Sequence, residues 1–167
     1  MKISAGVLTL SDRASLGEYE DLSGPAIIDY LDARTEFDVS WDRVEIYPDD
    51  EDIISETLRN WADEDLLDLI LTTGGTGPAP RDRTPEATRT VLDFEIPGIP
   101  EAMRASVRDR VPTSALTRGI AGVRGRTLII NLPGSPKAVR ESMDVLFGFL
   151  EHLLAKIKGD PGECGGE

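Results

Sequence analysis

Residues 69–77, LILTTGGTG, join the end of an apolar segment to a run of glycines and threonines. The apolar part belongs to a predicted buried strand over residues 66–72, which runs directly into Gly74-Gly75-Thr76-Gly77. Glycines and small hydroxyl residues at the end of a strand let a ligand approach the backbone closely, and their N–H groups can point at an anion. The pattern is typical of an anion-binding loop, although a tight turn between a strand and a helix would explain it as well.

Strand and helix patterns alternate on both sides of this segment. Residues 3–10, 37–47, 120–123 and 127–132 have the apolar patterns of strands, and 25–33, 50–63, 97–110 and 136–157 have those of helices, with a further helix starting at Thr84 and a polar loop over 11–23. This alternation predicts a three-layer α/β/α sandwich with a mainly parallel central sheet. One domain over residues 1–158 and a flexible tail over residues 159–167 would account for the whole chain.

The composition excludes several classes of protein. A net charge of −13 over 167 residues argues against a nucleic-acid-binding surface, which needs clustered Lys and Arg. The N-terminus shows no signal-peptide pattern and no apolar run approaches the ~18–20 residues of a membrane span, so we expect a cytoplasmic protein. Residues 1–70 hold 5 basic and 19 acidic side chains, which leaves the second part nearly balanced and able to hold an anion site.

Two standard phosphate-binding motifs do not fit the glycine loop. A P-loop needs Lys and then Ser or Thr after its last glycine, but Gly77 is followed by Pro78. A dinucleotide fingerprint that starts at Gly75 needs glycine or alanine at position 80, which is Pro80. The loop therefore belongs to neither standard class, and the charged residues 81–83 that follow it favour binding over a simple turn.

Two carboxylates follow strands of the predicted sheet. Asp49 comes directly after residues 37–47, and Asp82 comes just past the glycine loop. If the two strands run parallel, these carboxylates converge, and carboxylate oxygens without Cys or His suit a hard ion such as Mg²⁺. Asp50 and Asp52 are better explained as an N-cap and an acidic first helical turn.

Two further turns are candidates for ligand binding. Residues 131–137 read as a strand end, the turn Pro133-Gly134-Ser135 and the helix start Pro136, although Ser135 is also a natural N-cap. Ser11 and Asp12 follow the first strand and give a weaker signal. His152 is the only histidine, so a Ser-His-Asp or Cys-His mechanism lacks its base.

Taken together, these segments resemble the MogA/MoaB-type family of molybdenum-cofactor biosynthesis proteins that adenylylate molybdopterin, and they are also similar to the G domain of gephyrin. The resemblance covers about residues 3–158. The segments that carry it are residues 8–13 with Gly17 and Asp21, then 48–49, then 71–77 with 81–82 and 84–85, then 131–136. It implies a molybdopterin-binding-like fold.

The resemblance also implies an activity: transfer of AMP from ATP to the terminal phosphate of molybdopterin, with Mg²⁺ and release of pyrophosphate. Asp49 and Asp82 match the two essential aspartates of the family and would hold the metal. Residues matching its ligand-binding loops are Ser11, Asp12, Thr73, Gly74, Gly75, Thr76, Gly77, Pro133, Gly134, Ser135 and Pro136. The sequence does not indicate which loop holds the pterin and which the nucleotide.

The resemblance further implies a homotrimer, with hexamers in some relatives, and a molybdenum insertase as pathway partner. Two other functions remain open. A paralog of the same fold could bind a pterin without catalysis, or a related enzyme could hydrolyse a nucleotide or a pyrophosphate. Retention of both Asp49 and Asp82 argues against the non-catalytic paralog.

Overall fold

A single mixed sheet forms the centre of the protein in the computed structural model, which describes residues 1–159. Its strands are β1 (Lys2–Leu10), β2 (Asp38–Tyr47), β3 (Leu69–Thr73), β4 (Phe94–Glu95), β5 (Ala121–Arg124) and β6 (Thr127–Leu132). They lie in the order β2-β1-β3-β6-β5-β4. β2, β1, β3 and β6 are parallel, whereas β5 runs antiparallel to both β6 and β4. The predicted mainly parallel sheet is confirmed.

Helices cover both faces of this sheet. They are α1 (Asp12–Ser15), α2 (Ser23–Asp32), α3 (Glu51–Asp63), α4 (Thr84–Arg89), α5 (Gly98–Val107), α6 (Pro136–Phe147) and α7 (Leu150–Ile157), with a 3-10 helix over Pro112–Leu116. Successive strand residues point to opposite faces. Leu69 and Leu71 pack with α2, α5, α6 and α7, whereas Ile70 packs with α3 and α4. The result is the predicted three-layer α/β/α sandwich.

The prediction of one continuous helix at the end of the chain is wrong. The sequence pattern places one helix over residues 136–157, but the structure divides it at Gly148 and Phe149 into α6 and α7. Glycine is a poor residue for a helix interior, and here it ends α6. The break turns the apolar face, so Leu154 is buried in α7 where the uninterrupted pattern predicts Leu153.

Smaller differences affect the connections. The predicted polar loop 11–23 contains α1, and the strand predicted from Leu66 begins only at Leu69, since Leu66 has a positive φ of 55° and is largely exposed. The two-residue β4 and the 3-10 helix were not predicted. Residues 160–167, most of the predicted flexible tail, lie outside the described residues. Within residues 1–159, no helix is long and apolar enough to cross a membrane.

Candidate functional site

The four parallel strands bring their carboxyl ends to one edge of the sheet. Ser11 and Asp12 follow β1, Asp49 follows β2, the glycine loop follows β3 and the turn at Pro133 follows β6. The order β2-β1-β3-β6 places these segments side by side. The edge of the sheet where the sequence predicts a ligand therefore gathers every segment that it singled out.

Asp12 and Asp49 join the ends of β1 and β2 through a reciprocal pair of hydrogen bonds. The Asp12 N–H donates to Asp49 Oδ2 at 3.1 Å, and the Asp49 N–H donates to Asp12 Oδ1 at 3.0 Å. Arg81, just past the glycine loop, donates to both Asp12 oxygens, from Nε at 3.0 Å and from Nη2 at 2.8 Å. The Arg81 hydrogen bond lowers the pKa of Asp12, so this carboxylate is already neutralised within the chain.

Asp49 has no such cation. Its Oδ1 is buried and lacks a hydrogen-bond partner within residues 1–159. Burial raises the pKa of Asp49, and the negative charges of Asp12 and Asp82 raise it further. A Cβ on Gly75 would meet Asp49 Oδ1 and one on Gly77 would meet Asp82 Oδ2, so both predicted carboxylates border the glycine loop. A carboxylate oxygen that is desolvated and unpartnered is costly in the free protein, and ligand binding is the usual explanation for such a group.

The glycine loop is shaped by close approach to these groups. A Cβ on Gly75, whose φ is +62°, would lie 2.7 Å from Asp49 Oδ1 and 2.3 Å from Thr84 Oγ1. A Cβ on Gly74, whose φ is +95°, would lie 2.3 Å from the carbonyl oxygen of Leu10. Both positions require glycine for conformation and for space, so the loop is more specific than a simple turn.

The backbone donors of this loop differ in availability. The Gly74 N–H donates to the Leu132 carbonyl at 3.3 Å and so belongs to the sheet. The N–H groups of Gly75, Thr76 and Gly77 have no acceptor in the part of the chain that the structure describes. These three donors, rather than that of Gly74, are free to hold an anion.

Asp82 closes the same loop. Its Oδ2 accepts from the Ala79 N–H at 3.0 Å and would be 2.7 Å from a Cβ on Gly77. Arg83, the next residue, is bound to Glu51 with a 3.0 Å hydrogen bond from Nε to Oε2. Arg81 and Arg83 are therefore paired with carboxylates of this chain rather than left as free positive charges.

The turn after β6 packs directly on the glycine loop. Thr73 Oγ1 donates to the Pro133 carbonyl at 2.8 Å, and a Cβ on Gly134 would lie 3.2 Å from the Cα of Gly74. Ser135 caps α6, with its Oγ accepting from the Ala138 N–H at 3.2 Å, and Pro136 is the first residue of that helix. Ser11 caps α1 in the same way. Both serines thus act as helix caps, a role that the sequence also allowed for Ser135.

Two cavities open at this edge. One of about 160 Å³ lies between the residues after β1 and the two loops, and its lining includes Ser11, Tyr19, Gly74, Gly134 and Pro136. A second of about 220 Å³ lies between α5, the 3-10 helix and α6, and it is mainly apolar. The second cavity was not predicted, because its walls come from elements whose relative positions only the folded chain sets.

The edge does not contain a complete metal centre. Among residues 1–159, no group of three or more His, Cys, Asp or Glu side chains is arranged to hold a metal ion. Asp49 and Asp82 supply the oxygen donors that a hard cation prefers, and the unpartnered Asp49 Oδ1 is one such donor. A divalent ion here would need further oxygens from its ligand or from water.

Fold and site define an α/β protein with a glycine loop and carboxylates at the carboxyl edge of its parallel strands, which is where open α/β sheets bind their ligands. A family model described as "Probable molybdopterin binding domain" matches residues 6–152. The chain therefore belongs to this family of molybdenum-cofactor biosynthesis proteins, of the MogA/MoaB type, and the resemblance given by the sequence motifs is confirmed.

Individual relatives agree with this assignment. The molybdopterin adenylyltransferase of Helicobacter pylori (strain J99) is 46% identical over 162 residues, which cover 95% of this chain and 89% of that protein. The molybdopterin adenylyltransferase of Escherichia coli (strain K12) is 43% identical over 141 residues, or 83% and 71% of the two chains. The crystal structure of the molybdopterin biosynthesis enzyme MoaB from Thermus thermophilus has 50% identity and a TM-score of 0.88, covering 96% of this chain and 99% of that one.

Proposed function

We propose that this chain is a molybdopterin adenylyltransferase, which transfers AMP from Mg-ATP to the terminal phosphate of molybdopterin and releases pyrophosphate. The names of relatives at 43–46% identity support the activity. The observation that carries the proposal within this chain is the buried, unpartnered Oδ1 of Asp49 beside a glycine loop with three free N–H groups. This arrangement suits a ligand that carries both phosphate and a metal ion.

The reaction needs no covalent enzyme intermediate. A terminal phosphate oxygen of molybdopterin attacks the α-phosphorus of ATP, one P–O bond forms, and the bond to the β-phosphate bridging oxygen breaks so that pyrophosphate leaves. Catalysis is then mainly positioning and neutralisation of negative charge. The lack of a histidine at the site is therefore no obstacle, and the only one, His152, is exposed on α7.

We assign each predicted group a role in this reaction. Asp49 and Asp82 would hold Mg²⁺, which when bound supplies positive charge to the phosphate oxygens. The N–H groups of Gly75, Thr76 and Gly77 would hold a phosphate of one substrate, with Thr73 and Gly74 forming the floor. Ser11, Asp12 and the turn Pro133, Gly134, Ser135 and Pro136 would form the walls of the substrate site.

Arg81 gives the site a cation that could exchange its carboxylate partner, Asp12, for a phosphate of the substrate. Its guanidinium is two-thirds exposed and is bound to Asp12 alone among the carboxylates of the site. A guanidinium forms the same paired hydrogen bonds with phosphate as with a carboxylate. A phosphate that enters next to Asp12 would therefore find a donor already in place.

The test of this function is product analysis. The purified protein, incubated with molybdopterin and Mg-ATP, is expected to release pyrophosphate and form adenylylated molybdopterin in equal amounts. Nucleotide breakdown without molybdopterin would instead indicate a hydrolase. A control without Mg²⁺ should give no product.

A second candidate is a non-catalytic pterin-binding paralog. The observation that favours it is that the three free N–H groups of the glycine loop would suit binding of the pterin phosphate alone. Calorimetry separates the two functions: a paralog would bind molybdopterin and show no turnover with Mg-ATP, whereas the enzyme would bind both substrates and release pyrophosphate.

The cellular setting follows from the same proposal. We expect a cytoplasmic homotrimer that passes its product to a molybdenum insertase. Sedimentation velocity of the full chain measures the oligomeric state, and a trimeric mass is expected.

A further inference from the structure

The segment from Thr76 to Asp82 is held by a residue that belongs to none of the sequence motifs. Arg118 lies between the 3-10 helix and β5, and its backbone N–H donates to the Thr76 carbonyl at 2.8 Å. Its Nε donates to the Gly77 carbonyl at 2.8 Å, and its Nη2 donates to the Asp82 carbonyl at 2.6 Å. One residue thus contacts the beginning and the end of the segment that carries both the free N–H groups and Asp82.

A carboxylate on α4 orients this guanidinium. Arg118 Nη1 donates to Glu86 Oε1, and both side chains are partly buried, with 37% and 25% of their surfaces exposed. Partial burial is the largest single influence and raises the pKa of Glu86, but the hydrogen bond and charge of Arg118, a backbone hydrogen bond and the charge of Arg83 together leave the pKa below its ordinary value. The pair is therefore charged at neutral pH, and it ties the loop to α4.

The neighbouring residue adds to the contact. Thr117 Oγ1 donates to Thr76 Oγ1 at 3.2 Å, and Thr76 is almost fully buried. A loop rich in glycine has many backbone conformations to lose, so an external anchor is needed to keep it in one of them. The connection at residues 117–118 supplies that anchor from an element distant in sequence.

We propose that Arg118 is a positioning residue for adenylyl transfer, whose guanidinium fixes the loop from Thr76 to Asp82 in its binding conformation. The inference rests on the proposed function. A guanidinium presents its donors in one rigid plane, so contacts with Gly77, Asp82 and Glu86 fix the positions of all three. The single nitrogen of lysine at the same place could not span both carbonyls and the carboxylate.

Arg124 is the matched control within this chain. It lies six residues further on, at the other end of β5, and its Nε donates to Asp63 at 2.8 Å while its Nη1 donates to the Val91 carbonyl at 2.9 Å. Like Arg118, it is a half-buried arginine that joins a carboxylate and a backbone carbonyl. It differs in having no contact with the site.

The experiment compares Arg118→Lys, Arg118→Met and Arg124→Met in the full chain. Amide hydrogen exchange is measured without ligands at Ala79, Asp82 and Thr84, whose N–H groups are hydrogen-bonded within residues 75–84, and kcat and KM for Mg-ATP are measured with molybdopterin. Both Arg118 variants are expected to exchange about tenfold faster in this loop and to lose about 10–100-fold in kcat/KM, because small displacements in a site have effects of that size. The Arg124 variant should stay within about twofold of wild type in loop exchange and in kcat/KM, even if its melting temperature falls by as much as that of the Arg118 variants.

Three results would overturn the proposal: unchanged loop exchange in Arg118→Met, wild-type kcat/KM in Arg118→Lys, or equal kinetic losses in Arg124→Met. The Lys variant keeps the charge and serves as the test if the Met variant fails to fold. Failure of the proposed function is seen separately, because the wild-type protein would then release no pyrophosphate, while the exchange data would still decide whether Arg118 holds the loop.

Discussion

Asp49 at the carboxyl edge of the sheet differs from the paired carboxylates at the opposite edge, although Asp12 beside it is also bound by an arginine, Arg81. Near the amino end of β3, Asp63 is bound by Arg124, Asp65 by Arg43 and Asp68 by Lys158, with closest nitrogen–oxygen distances of 2.5, 2.8 and 2.8 Å. At the carboxyl edge, Asp49 keeps a buried oxygen with no partner in residues 1–159. Paired surface carboxylates contribute modestly to stability, whereas an unpaired desolvated one costs stability and is explained by a ligand.

The pKa values of these carboxylates shift in opposite directions, in line with the difference between paired and unpaired groups. Hydrogen bonds from Arg124 and Arg43 lower the pKa of Asp63 and of Asp65, whereas burial raises the pKa of Asp49. Acidic residues are abundant throughout the first half of the chain, so their number does not identify the site. The environment of each carboxylate does. Asp49 and Glu86 each keep a buried oxygen without a partner within residues 1–159, but Glu86 is bound by Arg118 through its other oxygen and has a lowered pKa, whereas the pKa of Asp49 is raised.

The largest expected effect comes from removing the charge of Asp49. Asp49→Asn should lower the rate of pyrophosphate release by about 10²–10³-fold, as for other losses of one electrostatic group in a reacting site. Asp63→Asn at the opposite edge should leave this rate within about twofold. Steady-state kinetics with molybdopterin and Mg-ATP measure both.

Asp50→Asn is a closer control for the same comparison. Asp50 caps α3 by accepting from the Asp52 and Ile53 N–H groups at 3.1 Å, and asparagine caps equally well. The variant removes a charge one residue away and keeps the helix. A rate loss as large as that of Asp49→Asn would contradict a specific role for Asp49.

Glycines with positive φ give a second comparison of the two edges. Gly75→Ala should lower the free energy of unfolding by about 2–4 kcal/mol, because a left-handed conformation and contact with Asp49 and Thr84 both oppose the added methyl. Gly125, in the β5–β6 turn, has a similar φ of +56° and nothing within 4 Å of an added Cβ, so Gly125→Ala should cost only about 1 kcal/mol. Urea denaturation measures both. Equal losses would show that the loop has no special constraint.

A smaller effect is expected in the pH dependence of stability. The raised pKa of Asp49 means that the folded chain binds this proton more tightly than the unfolded chain, so its contribution to stability falls as pH rises from the ordinary value through the raised one. Asp49→Asn should therefore gain stability relative to wild type over that window, by at most about 1 kcal/mol because the side chain is only half-buried.

Asp63 should behave in the opposite sense. Its lowered pKa gives a contribution that is present above the ordinary value and is lost as pH falls through the lowered one. The stability deficit of Asp63→Asn should thus disappear in acid. Urea denaturation over a series of pH values checks both variants, and the same trend in the two would remove the distinction between the edges.

The sequence was sufficient to predict the helices and strands with clear periodicity. It was also sufficient to predict that the candidate site segments meet at one edge of the sheet. The buried strands around Leu8 and Ile70 were predicted because their apolar runs end in turn residues, and parallel pairing then placed Asp49 and the glycine loop at one edge. The continuous pattern of the last helix was misleading, since apolar spacing continues through Gly148 although the backbone does not.

Contacts between distant residues could not be predicted. The charged residues 81–83 favoured ligand binding in the sequence, but Arg81 and Arg83 are each bound to an acidic residue at least 30 positions away. Arg118 has no motif around it, and only the position of β5 in the sheet brings it to the loop. Such pairings depend on strand order, which the local sequence pattern does not specify.

In the free chain, Oδ1 of Asp49 has no partner within residues 1–159, and we expect a bound cation to supply one. The most direct test of this expectation is a ¹³C NMR titration of the side-chain carboxyl groups, with and without Mg²⁺ and ATP. We expect Asp49 to titrate above the ordinary aspartate pKa while Asp63 titrates below it, and the Asp49 pKa to fall when the ligands are added. An Asp49 that titrates at or below the ordinary value, or that does not respond to Mg²⁺ and ATP, would contradict the account.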